Sequence, residues 1–160
     1  MEKEFTHIIT EHEKIIFKIC KIYGTTAEEQ EDLFQDIVLQ LWKSFPAFRG
    51  EAKVQTWMYR VALNTAITSL RKHKTKKHVS VGIDTLKIPI VQGESAQAEE
   101  KQELLYAAIG KLSDIEKALI TLYLEGYNYK EMAEIMGISE SHVGLKLHKI
   151  KHKLKDIILA

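Results

Sequence analysis

Apolar residues recur every three or four positions along most of the chain, which is the spacing of amphipathic helices. In the first half this pattern predicts three helices, over residues 5–23, over 27–45, and from 54 into the basic stretch 71–78. Thr26 and Glu29 form a capping box before the second helix, and Pro46 ends it because proline disfavours a helical conformation in the residue before it. The pattern is lost over 79–97, which predicts a mostly extended linker with a brief strand-like alternation at its start.

The second half returns to helical spacing and predicts four more helices, over about 98–112, 115–125, 129–136 and 140–160. Two of them begin with capping boxes, at Ser113 with Glu116 and at Asn128 with Glu131. The predicted fold class is therefore all-α, with two small helical domains joined by a flexible linker. The predicted bounds are 1–78 for the first domain, 79–97 for the linker and 98–160 for the second domain.

Residues 129–143 have the spacing of a DNA-binding helix-turn-helix. Ala133 is small where two helix backbones approach, Gly137 lies at the turn, and Ser139 can cap the second helix. An ordinary helical hairpin has the same spacing, so the motif alone leaves both interpretations open. If the second helix enters the major groove, the side chains left free by its apolar stripe are Ser141, His142, Gly144, Lys146, His148 and Lys149.

Composition narrows the class of protein. The 160 residues are 45% hydrophobic and 28% charged, which is enough for a packed core and unlike a disordered chain. No stretch is apolar and long enough to span a membrane, and no signal peptide is visible. Cys20 is the one cysteine, so an internal disulfide is excluded, and its helical spacing predicts a core thiol. Together these features predict a soluble, cytoplasmic protein.

The formal net charge of +1 argues at first against nucleic-acid binding. The charges are unevenly distributed, however, because residues 1–51 hold six basic and ten acidic side chains, a net charge of −4. Residues 71–78 and 143–155 each carry five cations and no acid, which suits them to phosphate backbones. The near-neutral total therefore conceals one acidic surface and two cationic ones.

Several separate motifs occur in a definite order along the chain. In the first half they are EDLFQDIVLQLWK at 31–43, FRGE at 48–51, TWMYRVALN at 56–64 and LRK at 70–72. In the second half they are LSDIE at 112–116, LYLEG at 122–126, YKEMAEIMGIS at 129–139 and then Val143. In these motifs and their order the chain resembles an extracytoplasmic-function (ECF) sigma factor, the two-domain form of the bacterial sigma-70 family.

The resemblance implies a promoter-specificity subunit whose partners are core RNA polymerase, promoter DNA and an anti-sigma factor. It implies no enzymatic activity, cofactor, metal, small-molecule substrate or membrane insertion. The first domain would be region 2-like, binding polymerase and recognising and melting the −10 element, and the second would be region 4-like, recognising the −35 element. The surface that docks on polymerase in the family corresponds here to Asp32, Gln35, Asp36, Gln40 and Trp42. Without the resemblance these polar residues are a solvated acidic face, and Trp42 also fits the core.

The loop after the second helix and the helix that follows resemble the family's −10 reader. Opening a promoter requires capture of unstacked bases by aromatic, polar and cationic side chains. The matching residues are Phe48, Arg49, Lys53, Trp57, Arg60 and Asn64, followed by the basic residues Arg71 and Lys72. Trp57 and Asn64 are seven residues apart and are predicted to share a helix face. Phe48 and Trp57 also fit the apolar core, and this alternative stays open.

The last helix departs from the common family pattern. Lysine stands where arginine is usual, at Lys146, Lys149 and Lys151, and Gly144 stands where a long basic side chain is usual. Lysine lacks the bidentate fork that arginine offers to guanine. We therefore expect strong phosphate attraction with an unusual −35 preference.

Parts of the sequence also fit two other classes of protein, a metal-binding protein and a transcription regulator. His148 and His152 have the spacing of a metal pair, but no third ligand is suitably spaced and neighbouring lysines would repel a cation. The serious rival is a helix-turn-helix transcription regulator whose first half binds a ligand or dimerises. Such a regulator has no use for the block at residues 48–64, which distinguishes the two functions.

Overall fold

The computed structural model of the chain describes residues 1–75 and 96–159. Within these ranges the backbone forms α-helices and one short 3₁₀ turn at Phe45–Ala47, with no strand, so the predicted all-α fold is confirmed. The helices are α1 (Glu2–Glu11), α2 (Glu13–Tyr23), α3 (Ala27–Ser44), α4 (Val54–Thr75), α5 (Ala96–Ile109), α6 (Asp114–Leu124), α7 (Tyr129–Met136) and α8 (Glu140–Leu159). The predicted linker and its strand-like start lie outside the described residues, except that its last two residues, Ala96 and Gln97, belong to α5.

The predicted single helix over residues 5–23 is wrong, because the structure breaks it at His12 into α1 and α2. His12 has φ −115° and ψ 22°, outside the helical region. Both helices contact α3, and their other main neighbours differ. Phe5 of α1 meets the rings of Trp42 and Phe45, whereas α2 packs on α3 and α4. The break preserves the apolar spacing, so the sequence pattern does not reveal it.

The helices form two compact units, α1–α4 and α5–α8, each with its own apolar core. In the first unit, α2, α3 and α4 pack on one another and bury Ile16, Ile19, Ile37, Leu41, Met58 and Leu63 almost completely. Cys20 is fully buried among them, which confirms the predicted core thiol. Burial raises the pKa of this thiol to about 12, so it stays protonated and unreactive near neutral pH.

Side-chain caps begin four of the helices, α6, α7 and α8 as the sequence predicts and α3 in part. Both capping boxes of the second unit are present, at Ser113 with Glu116 and at Asn128 with Glu131. The third is half formed: the Thr26 hydroxyl accepts from the Glu29 N–H at 3.1 Å. The Glu29 carboxylate instead accepts from the N–H and hydroxyl of Thr25, at 2.8 and 2.7 Å.

Two glycines of the helix-turn-helix provide a stability test of opposite signs. Gly137 has φ +71°, a left-handed conformation in which an L side chain is strained. We expect Gly137→Ala to lower the free energy of unfolding by about 1 kcal/mol. Gly144 lies inside α8 and an added Cβ would make only ordinary contact, at 3.5 Å, so Gly144→Ala should raise it by about 1 kcal/mol. Thermal denaturation followed by calorimetry measures the change in the free energy of unfolding for both variants. Changes of the same sign would contradict the conformations assigned to Gly137 and Gly144.

Candidate nucleic-acid and polymerase interfaces

The exposed side of α3 carries all the residues predicted to contact polymerase. Asp32, Gln35, Asp36 and Gln40 are exposed. Trp42 is 41% exposed and meets the Phe5 ring edge to face, with centroids 5.0 Å apart. Trp42 is therefore a surface residue that packs against Phe5 of α1, and it does not belong to the core.

Beside these residues runs an apolar groove of about 480 Å³ between α1 and α3. It is lined by Glu2, Phe5, Thr6, Phe34, Gln35, Val38, Leu39 and Trp42. Leu39 is 47% exposed and was not among the predicted contacts. Its place, three residues before Trp42 on the same helix side, is the signal that could have identified it. The wall formed by α1 depends on the break at His12 and could not be read from the sequence.

A smaller polar cleft of about 260 Å³ lies between α3 and α4. It is lined by Asp36, Gln40, Asn64, Thr65, Thr68 and Ser69, and the Ser69 hydroxyl donates to Asp36 Oδ2 at 3.4 Å. The structure thus brings Asn64, predicted to contact DNA, next to two residues predicted to contact polymerase. The amide, hydroxyl and carboxylate groups that line this cleft can donate hydrogen bonds to the polar edge of a base and accept hydrogen bonds from it.

The loop before α4 folds back over the first turns of that helix. Phe48 stacks on Trp57 with ring centroids 4.8 Å apart. The ring centroid of Phe45, earlier in the same segment, lies 6.0 Å from that of Trp57. Trp57 is only 7% exposed, so of the two positions that the sequence left open for it, in the core or facing DNA beside Asn64, it takes the core position. The two residues do lie on one side of α4, but the loop covers that side at Trp57 and leaves Asn64 exposed. Phe48 remains half-buried, while Arg49, Lys53 and Arg60 are exposed.

The aromatic contacts form a continuous series from the groove to this loop. Trp42 meets Phe5, Phe5 meets Phe45 at 5.4 Å, and Phe45 meets Trp57, on which Phe48 stacks. The basic stretch 71–78 begins inside α4, which ends at Thr75. The backbone of α4 continues through Arg71 and Lys72, but their side chains, and residues 76–78 altogether, lie outside the described part of the chain.

In the second unit, α7 and α8 form the predicted helix-turn-helix. Gly137 ends α7 in the left-handed conformation, and the Ser139 hydroxyl accepts from the His142 N–H at 3.1 Å at the start of α8. Val143, Leu147, Ile150 and Leu154 are buried. Of the predicted DNA-facing residues, Ser141, His142, His148 and Lys149 are exposed, while Gly144 and Lys146 are partly buried. Leu145, 67% exposed on the same helix, was missed by the sequence reasoning.

Two of the five lysines of α8 contact other helices. Lys153 donates to Glu116 of α6 at 2.8 Å. The Lys151 ammonium lies 4.2 Å from the ring centroid of Tyr123, and its interaction with that side chain raises the pKa of Lys151. Lys153 therefore ties α8 to α6, so the five lysines are not equivalent phosphate ligands.

Clusters of three or more metal-ligating side chains and membrane-spanning helices are both absent from the described ranges. No group of three or more His, Cys, Asp or Glu side chains converges there as metal ligands would. His148 and His152 meet edge to face, with ring centroids 4.7 Å apart. None of the described helices combines the length and the apolar character that a membrane crossing requires.

Comparison with known proteins identifies both units. The family model "Sigma-70 region 2" matches residues 8–76, and "Sigma-70, region 4" matches residues 102–154.

Among curated proteins, the ECF RNA polymerase sigma factor SigM of Bacillus subtilis is 34% identical over 129 residues, covering 79% of this chain and 78% of the relative. SigX of the same organism, also an ECF RNA polymerase sigma factor, is 25% identical over 156 residues, covering 93% and 80%. Among solved structures, the sigma factor RpoE of Bartonella quintana, in complex with the anti-sigma factor NepR, has a similar fold. Its TM-score is 0.70 at 17% identity, covering 99% of this chain and 96% of that one. With both sigma-70 regions in order along one chain, this protein belongs to the ECF RNA polymerase sigma factors.

Proposed function

We propose that this sigma factor binds core RNA polymerase through α3, reads and opens the −10 element with the first unit, and reads the −35 element with α8. The bounds proposed for these roles are 1–78 and 98–160, joined by the linker 79–97. The observation that supports this best is the presence, in one chain, of a region 2 unit with an exposed polar cleft and loop and a region 4 helix-turn-helix. Such a factor acts in the cytoplasm, where polymerase and promoter are, and performs no bond chemistry itself.

The polymerase contact is proposed for the groove and the acidic side of α3. Trp42 and Leu39 provide exposed apolar area, and Asp32 and Asp36 lie on the same helix. An apolar centre with a charged rim is typical of protein interfaces, and acidic rims favour basic partners. The complementary surface on polymerase is thus expected to be apolar with a basic border.

The −10 contact is proposed for the loop and the polar cleft. Phe48 provides an aromatic surface, Asn64 and Thr68 provide polar groups, and Arg49 and Arg60 attract the strand. Trp57 supports Phe48 from the core and does not itself present a stacking surface. Stacking of an unpaired base on an aromatic side chain is worth about 1–3 kcal/mol.

The −35 contact is proposed for Ser141, His142, Lys146, His148 and Lys149 of α8, with Gly144 among them on the same helix. The rival function, a regulator with a ligand-binding first half, is not favoured, because sigma-70 region 2 accounts for residues 8–76. An anti-sigma factor is proposed as a further partner, since the similar RpoE is solved in complex with one.

Transcription in vitro tests the proposal. Core polymerase with the full chain is expected to select promoter duplexes from a random pool and to start transcripts from them. Failure of the chain to comigrate with core polymerase, together with the absence of any selected promoter, would refute the function.

Variants of the cleft and loop separate promoter opening from duplex recognition. Asn64→Ala and Phe48→Leu are expected to reduce open-complex formation about tenfold, as the loss of roughly 1.4 kcal/mol predicts, while −35 duplex binding is unchanged. Permanganate reactivity of the selected promoter measures opening, and Gln102→Ala on α5 serves as the exposed-amide control. An equal loss of −35 binding would indicate misfolding and contradict the assignment.

A further inference from the structure

Three side chains on or next to α8 have no role in the contacts proposed above with polymerase or promoter DNA. Tyr123 comes from α6, Tyr129 begins α7, and Lys151 lies on α8. The two tyrosines are 37% and 41% exposed, so both present large aromatic side chains with hydroxyl groups at the surface. Gly144 and Lys151 are seven residues apart and lie on the same side of α8, next to the buried stripe.

The absence of a side chain at Gly144 brings Tyr129 close to α8. A Cβ at residue 144 would lie 3.5 Å from Cε2 and 3.8 Å from Cδ2 of Tyr129. A long side chain at this position would have to turn aside or displace the ring. The glycine, where the family pattern has a long basic residue, therefore gives Tyr129 its place against the recognition helix.

Lys151 lies against the ring of Tyr123. Its ammonium lies 4.2 Å from the centroid of the Tyr123 ring. A hydrogen bond to Tyr123, together with weaker electrostatic interactions with Tyr123 and Tyr129, raises the pKa of Lys151, so the lysine is charged. An ammonium has three donors, so it can bind an anion while it keeps its contact with Tyr123. The acids of α8 itself, Glu140 and Asp156, are eleven residues before and five after this lysine.

The location of the three side chains favours a particular anion. In a helix-turn-helix the first helix crosses the DNA backbone while the second enters the major groove. Tyr129 is the first residue of the former and contacts the latter at Gly144. If α8 enters the major groove in this way, the DNA backbone beside the groove would pass close to this junction. Lysine and tyrosine side chains are among the usual ligands of DNA phosphates.

We propose that Tyr123, Tyr129 and Lys151 form a binding site for one phosphodiester group of the −35 duplex, next to the groove that α8 enters. This inference rests on the proposed function, because it requires that α8 read duplex DNA. The site positions the recognition helix along the backbone and carries no base specificity. The two hydroxyls and the ammonium of this site are hydrogen-bond donors, and hydrogen bonds to a charged phosphate group are strong.

The test uses the full chain and a labelled duplex selected from a random pool. Tyr123→Phe and Tyr129→Phe, which keep the rings, are each expected to weaken binding about three- to tenfold with an unchanged salt dependence. Lys151→Ala should weaken binding and reduce the slope of log affinity against log salt by about one. The preferred duplex sequence should stay the same in all three variants.

Duplexes with a neutral methylphosphonate at one position locate the phosphate. One position is expected at which this substitution weakens binding of the unaltered chain but not of a variant lacking all three groups. Lys155→Ala removes the same charge one turn further along α8 and should leave that position sensitive.

Two results would overturn the proposal, and they are distinguishable. If the unaltered chain binds duplex DNA and the tyrosine variants bind equally well, or no sensitive phosphate is found, only this site is refuted. If the unaltered chain shows no salt-dependent duplex binding at all, the proposed −35 function fails and the site with it.

Discussion

Trp57→Ala is expected to lower the free energy of unfolding of the α1–α4 unit by about 3–5 kcal/mol, the usual cost of truncating a large buried aromatic side chain. Trp57 is 7% exposed and lies between Phe45 and Phe48, which hold the loop against α4. Removing the indole leaves a cavity and releases both rings. A total loss of promoter opening in this variant would then reflect unfolding and would not demonstrate a contact between Trp57 and DNA.

Trp42→Ala is the matched control, because the same residue type is 41% exposed there. It should lower the free energy of unfolding by about 1 kcal/mol, through its contact with Phe5, while weakening polymerase binding. Thermal and urea denaturation measured by circular dichroism compare the two variants. A Trp57→Ala protein as stable as the unaltered chain, yet unable to open promoters, would contradict the core assignment and restore a direct role in DNA binding.

Glu116 is expected to make the α5–α8 unit sensitive to acid. Its carboxylate accepts from the Ser113 N–H at 3.0 Å, completing the α6 cap, and from Lys153 of α8 at 2.8 Å. Burial opposes ionisation of this carboxyl, but the hydrogen bonds from Lys153 and Ser113 outweigh it, so the pKa is lowered below its ordinary value of 4.5. A lowered pKa means that the folded state favours the ionised form. The stabilisation is fully present above pH 4.5 and is lost as the pH falls through the folded-state pKa.

Glu116→Ala removes the cap and the ion pair together and should lower the free energy of unfolding by about 2–3 kcal/mol at neutral pH. Glu116→Gln keeps the shape and should cost about 1 kcal/mol. The difference between Glu116→Gln and the unaltered chain should shrink as the pH falls through the folded-state pKa of Glu116. Glu131→Gln is the matched control, since Glu131 forms the same kind of cap at α7 and is less buried.

Denaturation measured between pH 3 and 7 separates these outcomes. Both tryptophans lie in α3 and α4, so indole fluorescence follows the first unit and its change serves as an internal reference. A Glu116→Gln protein with the same acid sensitivity as the unaltered chain would show that other carboxylates cause the loss. A Glu131→Gln protein that loses as much stability would assign the effect to capping alone.

The features that sequence reasoning predicted correctly depend on residues within about four positions of one another. Helical periodicity, the caps at Ser113 and Asn128 and the left-handed Gly137 are of this kind. The broken helix at His12 was missed because the break leaves the apolar spacing intact. The sequence does not decide between core and surface for Trp57, because its apolar spacing favours the core and its aromatic chemistry favours contact with bases.

The sequence by itself determined the all-α fold, the helix-turn-helix and the membership of the ECF sigma factors, since local hydrogen bonding, periodicity and motif order are written in consecutive residues. Only the tertiary structure decided which of the candidate side chains are accessible. Burial of Trp57 depends on the ring of Phe48 folding back over α4, and exposure of Trp42 depends on how Phe5 of α1 packs behind it. Likewise, Lys151 and Lys153 differ because α6 presents Tyr123 to one and Glu116 to the other. The accessibility of a side chain is set by contacts between segments that are distant in sequence. It can therefore be determined only from the tertiary structure.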